Sequence, residues 1–348
     1  MIYVGVDHHK RYSYLTAVDE QGKVRMSCRL PNERQALEQV LVDLGEPCRS
    51  VVEAGRNWGV MYDLLEELGA EPVLANPCQV KAIAQARIKT DSIDSCTLAQ
   101  LLRGDLIPCV HVPGRETRQM KNILRQRLFL VRVRTMVKNR IHMLLDRNHV
   151  VLPKFSDLFG QAGRRYLAAL ELPSREEGNL LDSHMSLLET LDVHIKQAES
   201  WLDKALKQDR RVVLLRSIPG LGAILATLVA LEIDDISRFP TSAKLCAYAG
   251  LVPSVHSSGG RTYYGHLIPH SNHHLRWAMI EASWLAVINS PYCRAYYERL
   301  RRRKNPNVAI TAVARRLLEI VHAVLTEDRP YQERPVVTRF VPAALAPA

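Results

Sequence analysis

The sequence contains no Cys-x-x-Cys pair, and its seven cysteines are scattered and odd in number. Neither a disulfide framework nor a zinc site is signalled by that spacing. No apolar run approaches the roughly 20 residues of a membrane helix. The N-terminus enters a strand pattern at once, so the expectation is a cytoplasmic protein with no membrane attachment. Gly-x-Ser-x-Gly elbows, Ser/His/Asp spacings, internal repeats and low-complexity tracts are all missing. Acids are in deficit, 36 against 47 Lys and Arg, which leaves a net charge of +11 and favours a polyanionic partner. What remains is the composition of a globular protein, 47% hydrophobic and 24% charged, long enough for one large or two ordinary domains.

Ile2-Tyr3-Val4-Gly5-Val6 is an apolar run ending on Asp7, and Tyr12–Val18 and the residues after Gly22 read as two more strands. An acid at a strand end is either solvated or held against something positive, such as a metal ion. Asn32–Leu44 has helical spacing with Asn32 as cap. Ser50–Ala54 reads as a buried strand that again carries an acid, Glu53. Trp58–Leu68 is an amphipathic helix closed by Gly69, Glu71–Ala75 a strand, and Val80–Gln85 helical. Asp91–Arg103 is a helix capped by Thr90 and stopped by Gly104. Residues 1–112 therefore predict a mixed sheet with helices on its faces.

From Arg115 to Arg140 nine bases face a single acid, Glu116, along a helix with an apolar seam. A solvated face normally mixes both signs, so Arg118, Lys121, Arg125, Arg132 and Lys138 are expected at nucleic-acid phosphate. Leu180–Leu206 suits an antiparallel partner helix, which makes residues 113–210 a helical arm. A further domain is expected over 211–330, with a tail at 331–348. In it, Ile218-Pro219-Gly220-Leu221-Gly222 is either a tight helix connection or a phosphate seat at Gly220 and Gly222, as in a helix-hairpin-helix turn. Ala243–Leu251 and His273–Asn289 are helices, and Pro253–Gly265 reads as a polar, Gly-rich loop. Arg299–Lys304 is a very basic segment ahead of the helix Val308–Leu325.

Two constellations carry chemistry. Asp7 and Glu53 end strands, and Asp91 and Asp94 share one helix face; four converging acids suit divalent cations at a phosphate. Lys89 stands just before that helix, placed to offset charge or touch DNA. The second constellation is Ser254–Gly260. From the residues alone it is a flexible loop, because serine needs activation to act as a nucleophile. The histidines at 256, 266, 270, 273 and 274 fit no standard zinc spacing and are expected to face DNA or solvent.

The segments YVGVDHHKRYSY, VVEAGRNWGVMYDLLEELG, ANPCQVKAIAQARIKTDSIDS, RSIPGLGAILA, CAYAGLVPSVHSSGGRT and HHLRWAMIEAS resemble the DEDD transposases of insertion sequences, described as bridge-RNA-guided recombinases and related to a pilin gene invertase. The resemblance spans most of the chain in family order. It implies an α/β RuvC-like (RNase H-like) N-terminal domain, a coiled-coil insertion and a mainly α C-terminal transposase domain. It also implies that Asp7, Glu53, Asp91 and Asp94 bind Mg²⁺, and that Ser258, with Ser257 as the near alternative, attacks DNA to form a covalent phosphoserine. The implied partners are donor and target DNA, a structured noncoding guide RNA that selects them by base pairing, and further copies of the chain in a dimer or tetramer. Arg261, His270 and Arg276 are also expected to contact nucleic acid. The family's Ile-(Thr/Ser)-Lys-x-Gly-(Asn/Asp) run is replaced by Leu267-Ile268-Pro269-His270-Ser271-Asn272. Either His270 substitutes for the missing lysine in phosphate contact, or DNA handling there is weaker.

Other readings are a RuvC-type hydrolytic nuclease, a sugar-kinase-like phosphotransferase and a nucleic-acid-binding protein without catalysis. The phosphotransferase lacks support: His8-His9-Lys10-Arg11 stands where that fold needs Gly, Thr or Ser.

Overall fold

A computed structural model describes residues 1–84 and 90–333. The chain divides into two compact units between Pro113 and Gly114.

In the first unit, β1 (Ile2–His8), β2 (Tyr12–Val18) and β3 (Val24–Pro31) form an antiparallel meander. Then come α1 (Arg34–Leu44), β4 (Cys48–Glu53), α2 (Trp58–Glu67), β5 (Pro72–Ala75), α3 (Pro77–Ile83) and α4 (Asp91–Arg103). The sheet order is β3-β2-β1-β4-β5, with β4 parallel to β1 and β5 parallel to β4. Strand alternation divides the unit into two cores. Val4, Val6 and Val52 point into one with Leu37, Met61 and Leu65 of α1 and α2. Val51 points into the other, with Leu98, Leu101 and Leu102 of α4.

Gly5 lies on the α4 side. A Cβ there would stand 1.9 Å from the Ser95 carbonyl oxygen and 2.6 Å from the Ala99 nitrogen. The missing side chain therefore lets the helix backbone settle directly on the strand. Thr16 and Ser95, both buried, exchange a hydroxyl hydrogen bond of 2.7 Å at the same crossing. Asn32 does not cap α1. Glu33 occupies the cap position, while the Asn32 side chain accepts from Ser13 and donates to the His9 carbonyl.

The second unit opens with α5 (Arg115–Arg147), α6 (Gln161–Ala168) and α7 (Arg175–Leu206). Arg127 pairs with Glu199, Arg134 with Asp192 and Arg147 with Glu177, so α5 and α7 run antiparallel. Leu130, Val137, Ile141 and Leu144 meet Leu181, Leu188, Leu191 and Ile195 between them. A helical core follows, built from α8 (Arg210–Leu215), α9 (Ala223–Ile233), α10 (Ser242–Tyr248), α11 (His273–Asn289), α12 (Pro291–Arg301) and α13 (Pro306–Thr326). Between α10 and α11 stands a two-stranded sheet, β6 (Pro253–Ser258) and β7 (Arg261–Leu267).

That sheet replaces the expected loop over Pro253–Gly265. Gly259 and Gly260, at φ of +55° and +75°, form the two-residue turn that joins twisted strands. The basic stretch Arg299–Lys304 begins in the last turn of α12 and continues past its end at Arg301. No helix of the described residues is long and apolar enough to cross a membrane.

Candidate active site

β1 and β4 carry their acids to one sheet edge. Asp7 and Glu53 each follow the last pair formed between β1 and β4, Val6 with Val52. By alternation, Asp7 shares a face with Gly5, and Glu53 with Val51, which is the face α4 covers. Thr90 caps α4, its hydroxyl accepting from the Ile93 N–H at 3.3 Å, so Asp91 and Asp94 occupy the first turn. The helix N-terminus favours negative charge in that turn.

His9 enters the same place. Its Nε2 lies 3.2 Å from Asp7 Oδ2 and 3.4 Å from Asp91 Oδ1. That nitrogen is buried yet makes no well-aligned hydrogen bond among the described residues. Ligand atoms of Asp7, His9 and Asp91 all fall within 4.8 Å of one another. Tyr12 packs its ring on His9, with centroids 4.8 Å apart, and donates its hydroxyl to Asp91 Oδ2 at 2.9 Å. The Arg29 guanidinium covers the Tyr12 ring at 3.7 Å.

A chain of hydrogen bonds fixes the backbone beneath. The Asn57 amide donates to His8 Nε2 at 2.9 Å, so His8 presents Nδ1–H to Ser13 Oγ at 2.9 Å. Ser13 donates to Asn32 at 2.7 Å, and Asn32 donates to the His9 carbonyl at 2.7 Å. Burial lowers the His8 imidazole from its ordinary range, with His9 adding to the effect, in keeping with a neutral ring.

The two aspartates titrate apart. Burial pushes the Asp7 carboxyl up; His9 opposes this, and Asp91 and Asp94 add to it. Asp91 is held below the usual carboxylate range, chiefly by the Tyr12 hydrogen bond, with His9 and Arg29 assisting against desolvation. A cation fits this arrangement: two carboxylates supply oxygens, and an orphaned buried ring nitrogen faces the space between them. His9 was not singled out as a ligand from the sequence. Its role depends on a partner in another element, and only the Asp-x-His spacing hints at it.

In the second unit, the serine segment forms the tip of the β6–β7 hairpin. Ser257 pairs with Thr262, their hydroxyls 3.3 Å apart, and Ser258 pairs with Arg261 beside the Gly259-Gly260 turn. All four residues are exposed.

Comparison with known proteins locates these sites within a family. Residues 4–150 match the IS110-type DEDD transposase family, and residues 212–298 match the transposase IS116/IS110/IS902 family. A probable family 20 transposase of Pseudomonas aeruginosa is 26% identical over 336 residues, covering 94% of this chain and 98% of that protein. The transposase for insertion sequence element IS1111A of Coxiella burnetii is 26% identical over 339 residues, covering 94% and 91%. The insertion element IS110 protein of Streptomyces coelicolor is 25% identical over 396 residues, covering 96% of each chain. The chain belongs to the DEDD transposases of insertion sequences.

In this transposase two bases expected at phosphate are committed internally. Lys121 is buried, with Nζ 3.3 Å from Glu232, a carboxylate whose side chain is only 5% exposed. Arg276 donates to the Ala249 and Ile268 carbonyls and to Ser271 Oγ, tying the end of β7 to α10 and α11. Both side chains make structural ties inside the fold. Arg125 sends a second arm to Glu232 at 3.6 Å while remaining half-exposed. The one-signed face of α5 is also partly answered by acids of α7. Arg132 is exposed; Arg118 and Lys138 are half-buried, with the Lys138 ammonium 4.7 Å above the Phe159 ring.

The turn before α9 is split in character. A Cβ on Gly220 (φ +88°) would stand 2.1 Å from the Ala282 carbonyl oxygen, so this glycine serves packing against α11. Gly222, at the α9 N-cap, has open space around it. Arg261 and His270 are exposed, and Lys89 lies outside the described residues.

Proposed function

We propose that this transposase cuts and rejoins DNA through the acids Asp7, Glu53, Asp91 and Asp94 together with a serine nucleophile, Ser258. One observation carries the reading: strand alternation brings Asp7 and Glu53 to the sheet face covered by α4, whose first turn supplies Asp91 and Asp94. The strand order supports a RuvC-like (RNase H-like) assignment of residues 1–112. The antiparallel α5–α7 pair supports a coiled-coil arm over 113–210, with residues 211–330 as the domain that presents the serine.

The carboxylates are the residues that would hold Mg²⁺, with His9 beside them. When bound, the ion would polarise the scissile phosphate and neutralise charge on it. Tyr12 orients Asp91, and the Asn57–His8–Ser13–Asn32 chain fixes the backbone that carries His9. At the hairpin, a bond forms between Ser258 Oγ and phosphorus while the bond from phosphorus to one sugar oxygen breaks. The serine proton passes to water and the departing sugar oxygen takes up a proton. Attack by another sugar hydroxyl reverses the step and reseals the DNA. Under this reading a structured noncoding RNA selects donor and target by base pairing, and the active assembly holds more than one copy of the chain.

A suicide DNA substrate tests the nucleophile. A denaturation-resistant adduct lost in Ser258→Ala is the expected result. Cleavage without any adduct would instead establish a hydrolytic nuclease. Sequencing of RNA that co-purifies with the protein tests the guide.

A further inference from the structure

The hairpin that carries the serines has two faces of different chemistry. Residues paired across the ladder share a face, and successive residues alternate. Val255 pairs with Tyr264 and Ser257 with Thr262, giving one face of apolar and hydroxyl groups. His256 pairs with Tyr263 and Ser258 with Arg261, giving the other. Neither strand contains an acid. The strands pair only with each other, and Val255, Tyr263 and Tyr264 are 56%, 62% and 73% exposed.

We infer that the face formed by His256, Ser258, Arg261 and Tyr263 is a grip for the DNA backbone, in which Arg261 binds the phosphate presented to Ser258. Arg261 stands directly opposite Ser258 in the ladder. Its guanidinium offers a fork of N–H donors that matches two phosphate oxygens. His256, two residues before Ser258 on the same face, adds a ring that can donate to an adjacent phosphate, and Tyr263 supplies a surface on which a sugar or base can rest. The paired residues of the opposite face, Val255, Ser257, Thr262 and Tyr264, offer hydroxyls and apolar groups and no guanidinium to hold an anion. Positive charge without any acid is the complement of a polyanion. The inference rests on the proposed nucleophile for its geometry, while its binding arm does not depend on it.

Full-length protein, with any co-purifying nucleic acid retained, is given a suicide DNA substrate made from the element's own ends. Arg261→Ala is expected to slow adduct formation by about a hundredfold, the scale seen when one charge-stabilising donor is lost. Arg261→Lys should recover part of the rate, and Thr262→Ala, on the other face, should react like wild type. In parallel, binding of a labelled DNA duplex is measured against salt. Arg261→Ala should flatten the salt slope by about one phosphate contact, and Thr262→Ala should not. If Arg261→Ala matches Thr262→Ala in both measurements, the inference is overturned. If Ser258→Ala still forms adduct, the proposed nucleophile fails, and the salt slopes alone decide whether this face grips DNA. All these side chains are exposed, and a thermal melt of each variant confirms that folding is unchanged.

Discussion

The Tyr12 hydroxyl donates to Asp91 Oδ2 at 2.9 Å, joining the second strand to the first turn of α4 across 79 residues of sequence. This bond does most to hold Asp91 ionised, and it leaves Oδ1 turned toward His9. Removing such an outer partner typically costs about 10- to 100-fold in metal affinity. Tyr12→Phe is therefore expected to weaken Mn²⁺ or Mg²⁺ binding by that margin in calorimetric titration, with little change in melting temperature. Unchanged affinity would separate Tyr12 from the site.

At Gly5 the β1 backbone lies directly against the Ser95 backbone of α4. A methyl group at Gly5 would collide with backbone that cannot rotate away. Gly5→Ala should cost about 1–3 kcal/mol or more of stability. It should also shift α4 outward, so that metal binding falls together with the melting temperature. A variant that melts normally and binds metal normally would refute the role assigned to this glycine.

Lys121 and Glu232 make a prediction in the second unit. Burial raises the Glu232 carboxyl, but Lys121, Asn272 and Arg125 outweigh it and hold the group below the usual carboxylate range. A depressed folded-state pKa contributes stability that is present above the unfolded value near 4.5 and lost as pH falls through the folded value. Acid denaturation below about pH 4.5 should therefore be blunted in Glu232→Gln. Lys121→Met removes the nearest cation from a buried carboxylate, leaving it Arg125 and Asn272, and should cost on the order of 3 kcal/mol, while the double variant Lys121→Met/Glu232→Leu recovers much of it.

On α5, the exposed and the paired bases should part company when binding of a DNA duplex is followed against salt. Arg132→Ala should reduce the salt slope by about one unit. Arg134→Ala removes a base already answered by Asp192 at 3.1 Å and should leave the slope nearly intact, with a modest loss of stability. Equal slopes for the two variants would remove Arg132 from the nucleic-acid surface.

Much of the first unit was legible because its signals are local. Thr90, Asp91 and Gly104 mark the α4 boundaries through capping chemistry that does not depend on distant residues. Asn32 misled for the opposite reason. It has the chemistry of a cap, but Ser13 and the His9 carbonyl, supplied by other segments, claim both ends of its amide. The hairpin was missed because both of its faces are exposed, so no alternation of apolar and polar residues marks it; the Gly259-Gly260 pair was the usable signal. His9 and Lys121 were hidden by distance. Asp91, which joins Asp7 beside His9, stands 82 positions away, and Glu232 stands 111 positions from Lys121; sequence spacing does not report such neighbours.

The acid cluster joins residues at the end of the first strand to the last helix of the first unit, and that ordering has a consequence for synthesis. While the chain emerges from the ribosome, Asp7 and His9 wait through more than eighty residues before Asp91 can join them. Until then Gly5 lies bare and Thr16 lacks its Ser95 partner. A nascent chain, or a decayed copy of the gene interrupted before α4, accordingly makes the sheet without Asp91 and Asp94. The last helix of the first unit therefore decides whether the acid cluster is complete.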